Sequence, residues 1–193
     1  MVESKPRGRP RSARAQEAII SATLAVLVET GFAGLTIEAV ASRAGVGRPT
    51  IYRRWATKED LVVDALAATV PVASTVDTGD LAADIAETVR AAINGLGGSE
   101  VGGVVVGVLA AAAANPVLAS ALAERYLAPR LGVVSELVAR GVAAGVLRSD
   151  LSPEVMRDLL IGPLVYHWLV TGSPMSEPNT TALFTAILST LRT

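Results

Sequence analysis

Leu35 to Leu61 reads LTIEAVASRAGVGRPTIYRRWATKEDL, and the fold turns on how this stretch divides. Thr36 is a good N-cap and Glu38 suits the first turn that follows, so a helix starts there. Ile37, Val40, Ala41 and Ala44 recur at helical spacing and face inward. Ala44 to Val46 is a tight turn in which Gly45 takes a positive φ. A third, short helix begins near Gly47 with Pro49 in its first turn, where a missing N–H costs little. Two short helices joined by a glycine turn describe a helix-turn-helix. Ile51 and Trp55, four apart, pin the third helix to the first two.

The other faces of that helix carry Arg48, Pro49, Thr50, Tyr52, Arg53 and Arg54, with no carboxylate between residues 39 and 58. An anchored back and a donor-rich front are the layout of a recognition helix that enters the major groove of DNA. The alternative is a solvated amphipathic helix. Thr57 then caps a fourth helix, whose first turn holds Glu59 and Asp60. Lys58 opposes the dipole of that helix. It is either aimed, with the helix N-terminus, at a phosphate, or an ordinary exposed lysine. With Thr36 at the start of the second helix, Arg48, Pro49, Thr50, Tyr52, Arg53, Arg54 and Lys58 make the candidate DNA-binding set.

On the N-terminal side, a first helix from about Ser12 to Glu29 ends at Gly31, with Phe32 supplying the contact that follows. Residues 1–11 are polar, basic and aperiodic, and read as a disordered arm. Arg7 and Arg9 lie in PRGRPR, which resembles the AT-hook core that lays an extended arm in a narrow A·T minor groove. A solvated tail with nonspecific phosphate attraction is the alternative. The charged N-terminus has no apolar run behind it, so no signal peptide opens the chain and the cytoplasm is expected.

Of the 193 residues, 51% are apolar but only 4% aromatic, so the core must be built from Ala, Val and Leu. Strand signals are sparse, and the expected class is all-α. There is no cysteine, which excludes disulfides and thiolate metal sites. His167 is the one histidine, so neither a His-based metal site nor a Ser/His triad is expected. No phosphate loop or nucleophile motif occurs, and no enzyme activity, metal or cofactor is expected. The net charge of −1 hides a split: residues 1–60 hold ten Lys/Arg against six Asp/Glu, and residues 61–193 hold seven against twelve. A basic head on an acidic body suggests that the head meets a polyanion. Residues 101–123 are uncharged and long enough to span a membrane, but Asn115-Pro116 breaks them. They read as two buried helices, and no membrane partner is expected.

Further on, the helix that begins at Pro116 is expected to bend at Pro129 and end at Gly145. Ser152 caps the next, with Pro153 at its first position. From Val155 to Val170 that helix is apolar on two faces. Leu159, Gly162, Tyr166 and Val170 share one; Leu160, Ile161, Leu164 and Trp168 cover the other. Such a helix must be covered twice, by its own subunit and by a partner, unless one subunit supplies both layers.

Residues 15–66 resemble the TetR family of bacterial transcriptional regulators. Within them, the stretch from Leu35 to Leu61 carries the helix-turn-helix, the Pro-Thr-hydrophobic-Tyr core and the lysine opening helix four. The resemblance implies an all-helical homodimer of about nine helices. An N-terminal three-helix DNA-binding domain (12–57) would precede a ligand-binding and dimerisation domain (58–193), whose last two helices pair with their copies. It also implies that Thr50, Tyr52 and Lys58 contact bases or phosphates of double-stranded DNA at a near-palindromic operator, and that a small-molecule effector moves helix four. Arg53 and Arg54 stand where the family often has aromatic residues or His, so the operator sequence does not follow by analogy. Gly162, Tyr166, Trp168, Leu183 and Ile187 are the candidate interface residues. Asn94, Tyr126, Tyr166 and His167 are polar groups in apolar helices. Each is either a pocket hydrogen bonder or a satisfied boundary group. An apolar or aromatic effector suits such surroundings, and the expected role is a repressor. A ligand-independent or architectural DNA binder is the competing reading.

Overall fold

The structure is a computed structural model that describes residues 11–69, 72, 77–97 and 100–193. Arg7 and Arg9 lie outside them, as does the side chain of Asn94. The first helix, α1 (Arg11–Gly34), is interrupted at Gly31, whose φ of 67° and ψ of −179° leave the helix in a region open to glycine. The Thr36 hydroxyl accepts from the Ala39 N–H at 3.2 Å and so caps α2 (Ile37–Ala44). Gly45 closes α2 with φ 65°. Next comes α3 (Arg48–Tyr52), only five residues long. The Trp55 N–H still donates to the Ile51 carbonyl at 3.0 Å, which keeps the two apolar side chains in helical register beyond its end. Thr57 and Asp60 then cap α4 (Lys58–Thr69) reciprocally: the Asp60 N–H donates to Thr57 Oγ1 at 3.1 Å, and that hydroxyl donates to Asp60 Oδ2 at 2.8 Å.

The rest is α5 (Leu81–Gly97), α6 (Glu100–Ala112), α7 (Pro116–Leu122), a π-helical turn (Ala123–Leu127), α8 (Ala128–Ala143), α9 (Pro153–Thr171) and α10 (Glu177–Leu191). No strand beyond the isolated bridge between Leu147 and Arg192 occurs among the described residues. Because α7, the π turn and α8 run without a break, the described residues form nine helical rods. Residues 101–123 are not one span: α6 stops at Ala112, and the Asn115 side chain caps α7 by accepting from the Leu118 N–H at 3.0 Å.

Where the sequence suggests a bend at Pro129, a π turn stands just before the proline. Proline has no N–H to continue the α-helical ladder. The ladder widens instead, with the Ala128 N–H donating to the Ala123 carbonyl five residues back. The Arg130 guanidinium donates to the Tyr126 carbonyl at 2.8 Å.

Two apolar clusters fill the interior. One joins α1, α2, α3 and α4 to α6, α7 and the π turn, from Ile19 and Val26 through Ile51, Trp55 and Leu61 to Val105, Leu118 and Tyr126. The other joins α5, α8, α9 and α10 through Ile85, Val134, Leu137, Leu160, Phe184 and Leu188. In the second, Gly141 meets the buried Leu147 so closely that an added Cβ would stand 2.6 Å from Leu147 Cδ1. Gly141→Ala is therefore expected to lower stability by about 1–3 kcal/mol through overpacking, seen as a lower urea midpoint with an unchanged slope.

The two faces of α9 separate cleanly. Leu160, Leu164 and Trp168 are buried, whereas Val155, Leu159, Gly162, Tyr166 and Val170 are exposed. This corrects the sequence reading of Trp168 as an interface residue: at 7% exposure it is covered by its own subunit. Leu183 and Ile187, on α10, are half-buried against the second cluster.

Candidate DNA-binding interface and effector site

The recognition segment is held from behind. Ile51 is fully buried, and Trp55 is 4% exposed in the same cluster. The buried indole needs an acceptor; its Nε1–H donates to Asp64 Oδ2 of α4 at 2.8 Å. In front, Arg48, Pro49, Tyr52 and Arg53 are exposed and Thr50 is half-buried. Arg48 has an acidic partner that the window of residues 39–58 missed. Its Nη1 lies 2.7 Å from Glu38 Oε1 on α2, in an ion pair open to water. That hydrogen bond holds the Glu38 carboxyl below its ordinary range. An exposed pair of this kind is weak and exchanges readily for a phosphate.

Arg54 departs from the expected donor-rich front. Its guanidinium turns back to α1, donating to Gln16 Oε1 at 3.0 Å and to the Ser12 carbonyl and hydroxyl at 2.9 and 2.8 Å. The reason is register. Arg54 lies beyond the last residue of α3, between the exposed Arg53 and the buried Trp55, so its side chain runs along the seam with α1. Lys58, the first residue of α4, is half-buried, with Nζ 4.6 Å from the centroid of the Phe32 ring. This cation–π contact fixes the ammonium beside the helix N-terminus.

These placements separate three substitutions. Arg53→Ala is expected to cost about 1–3 kcal/mol at one base position if the arginine forks a guanine. Arg54→Ala is expected to weaken all sequences alike by freeing α1. Lys58→Ala should flatten the salt dependence by about one charge without changing sequence preference. Binding isotherms on matched duplexes at several salt concentrations distinguish them.

In the C-terminal part, Tyr126 is 1% exposed, and its hydroxyl has no hydrogen-bond partner among the described residues. Burial pushes its phenol above the ordinary range, with the charge of Arg130 opposing. The Arg130 guanidinium lies 3.8 Å from the ring centroid, and burial lowers its own pKa. Thr88 on α5 is likewise buried, and its hydroxyl has no partner among the described residues. Neither Thr88 nor Arg130 was singled out from the sequence: one threonine or arginine in a helix gives no local signal of its surroundings. Tyr166 is corrected as a pocket residue. It is 68% exposed on the outward face of α9, because its spacing from Leu160 and Leu164 turns it away from the core. His167 is half-buried on the same helix. A solvent-open cleft of about 580 Å³ lies between α4 and α7, lined by Asp60, Val117, Glu124 and Arg125 among others.

The family described as "Bacterial regulatory proteins, tetR family" matches residues 19–65, and the "Tetracyclin repressor-like, C-terminal domain" matches residues 75–187. The uncharacterized HTH-type transcriptional regulator YdeS of Bacillus subtilis is 33% identical over 175 residues, covering 89% of this chain and 86% of that protein. Among solved structures, the TetR family transcription regulator SCO0332 superposes with a TM-score of 0.70 at 28% identity, covering 93% of this chain and all of that one. The transcriptional regulator FadR from Bacillus subtilis, solved in complex with stearoyl-CoA, shares the fold at a TM-score of 0.65 and 20% identity, covering 92% of this chain and 97% of its own. With a helix-turn-helix pinned from behind and open in front, and both family matches in chain order, the chain belongs to the TetR family of bacterial transcriptional regulators.

Proposed function

We propose that this chain is a homodimeric repressor that binds a near-palindromic operator and releases it when a small apolar or aromatic effector enters the C-terminal helices. The observation that carries the DNA-binding part is the recognition segment itself. Ile51 and Trp55 are buried behind it, and Arg48, Tyr52 and Arg53 are exposed in front, with Lys58 beside the α4 N-terminus. Residues 12–57 form the reading head and residues 58–193 the regulatory part, acting in the cytoplasm where the DNA is. Dimerisation is supported by the outward stripe of Val155, Leu159, Tyr166 and Val170 on α9, an apolar face left exposed among the described residues. A two-fold dimer reads two inverted half-sites.

The effector reading rests on the buried Tyr126 hydroxyl, which has no hydrogen-bond partner among the described residues and which a ligand acceptor would satisfy. FadR, on the same fold, was solved in complex with stearoyl-CoA, a precedent in this architecture for a bound ligand with an apolar body. The test is selection of duplexes from a random pool by the full chain, followed by a screen of small molecules for release of the enriched DNA. An enriched inverted repeat, and at least one releasing compound whose effect Tyr126→Phe weakens, are expected. Enrichment of no sequence overturns the operator reading. Tight binding that no compound relieves favours the ligand-independent alternative.

A further inference from the structure

We infer that Arg125 is a positioning residue for the reading head, acting across the fold through Asp64 on Trp55. The inference rests on the DNA-binding reading above and extends it to how the head is held. Arg125 sits on the π turn, in the regulatory part of the chain. Its Nη2 lies 2.9 Å from Asp60 Oδ1 and 3.0 Å from the Asp60 carbonyl, and its Nη1 lies 3.4 Å from Asp64 Oδ1. Each carboxylate turns its second oxygen to the head. Asp64 Oδ2 accepts the Trp55 indole N–H at 2.8 Å, and Asp60 Oδ2 accepts the Thr57 hydroxyl at 2.8 Å. One guanidinium thus grips two carboxylates, of which one holds Trp55, an anchor of the recognition segment, and the other holds Thr57, the cap of α4.

The chemistry requires an arginine. Asp60 and Asp64 are four apart on α4, where like charges repel. A planar fork with two separate nitrogens satisfies both, which a single ammonium does not. With the fork gone, Asp64 turns to water and the Trp55 indole loses an oriented acceptor. The pairs are about a third exposed, so their loss leaves the fold standing and changes alignment instead. Tyr126, the next residue of the same π turn, is buried, with a hydroxyl that has no partner among the described residues. A ligand that draws on that hydroxyl moves the turn that presents Arg125, and so reaches the head without touching it.

The test is Arg125→Gln in the full chain, read first on the Trp55 indole N–H in the ¹H–¹⁵N spectrum. The chain has two tryptophans, and Trp168→Phe assigns their signals. The Trp55 signal is expected to move and its solvent exchange to speed up about tenfold, as one charge-assisted hydrogen bond is loosened. The Trp168 signal should stay in place. Affinity for the duplex enriched by the wild-type chain should fall about tenfold, with Asp64→Asn doing the same and the double variant no worse than either single. An unmoved Trp55 signal, a moved one with unchanged affinity, or losses that simply add would each overturn the inference. If the wild-type chain enriches no duplex, the proposed function falls, and the indole signal alone decides whether Arg125 holds Trp55.

Discussion

Trp168→Glu is expected to abolish folding of the subunit. Trp168 is 7% exposed and lies on the inward stripe of α9 with Leu160 and Leu164. Removing a buried tryptophan side chain costs about 3–5 kcal/mol through lost burial and the cavity left behind. A carboxylate placed in that space is also without a partner, and either stays charged at high cost or takes up a proton. Together these approach the whole stability of an ordinary domain, roughly 5–15 kcal/mol. Loss of the helical circular dichroism signal at room temperature is the expected readout, with Trp168→Phe retaining it. A Trp168→Glu protein that melts as the wild type does would mean that α9 faces the other way.

Gly162→Glu, six residues earlier, should do the opposite: leave the subunit intact and separate the two copies. An added Cβ at Gly162 meets nothing within 4 Å, and exchanging a helical glycine for glutamate favours the helix. The harm comes from the second copy. Across a two-fold axis the same patch faces itself, so the substitution sets two carboxylates in one apolar contact. Folded monomers are expected in the ultracentrifuge. Operator affinity should fall more than about a hundredfold, because the two heads no longer share one binding event. Tyr166→Glu, on the same stripe, should behave alike. A Gly162→Glu protein that still sediments as a dimer would place the interface elsewhere.

The head was legible because its signals are local. Thr36, Gly45 and Thr57 each act on residues within four positions, through a hydroxyl cap or a positive φ. The same holds for Ser152, which caps α9 by accepting from the Val155 N–H at 3.3 Å. What the sequence hid was long in range or symmetric. The Arg54 contact with α1 joins residues 42 apart, and the Arg125 contact with α4 joins residues 65 apart; neither arginine carries a mark of its destination. The orientation of α9 was hidden for another reason. Both of its faces are apolar, so periodicity showed that two coverings were needed but gave no sign of which was internal. Gly162, Tyr166 and Trp168 therefore stand together as interface candidates in the sequence, although they lie on opposite faces.

A π-helical turn is an α-helix holding about one residue more than its ladder needs. Loss of one residue between Ala123 and Leu127 would therefore let the ladder close into an unbroken α-helix from Pro116 to Ala143, with α7 and α8 keeping the faces they now bury. The same loss inside α8 would turn everything beyond it by about 100° and carry its buried side chains away from the core. The turn is thus a place where the chain can shed a residue at little cost to packing, while the side chains it presents, Arg125 and Tyr126 among them, are rearranged.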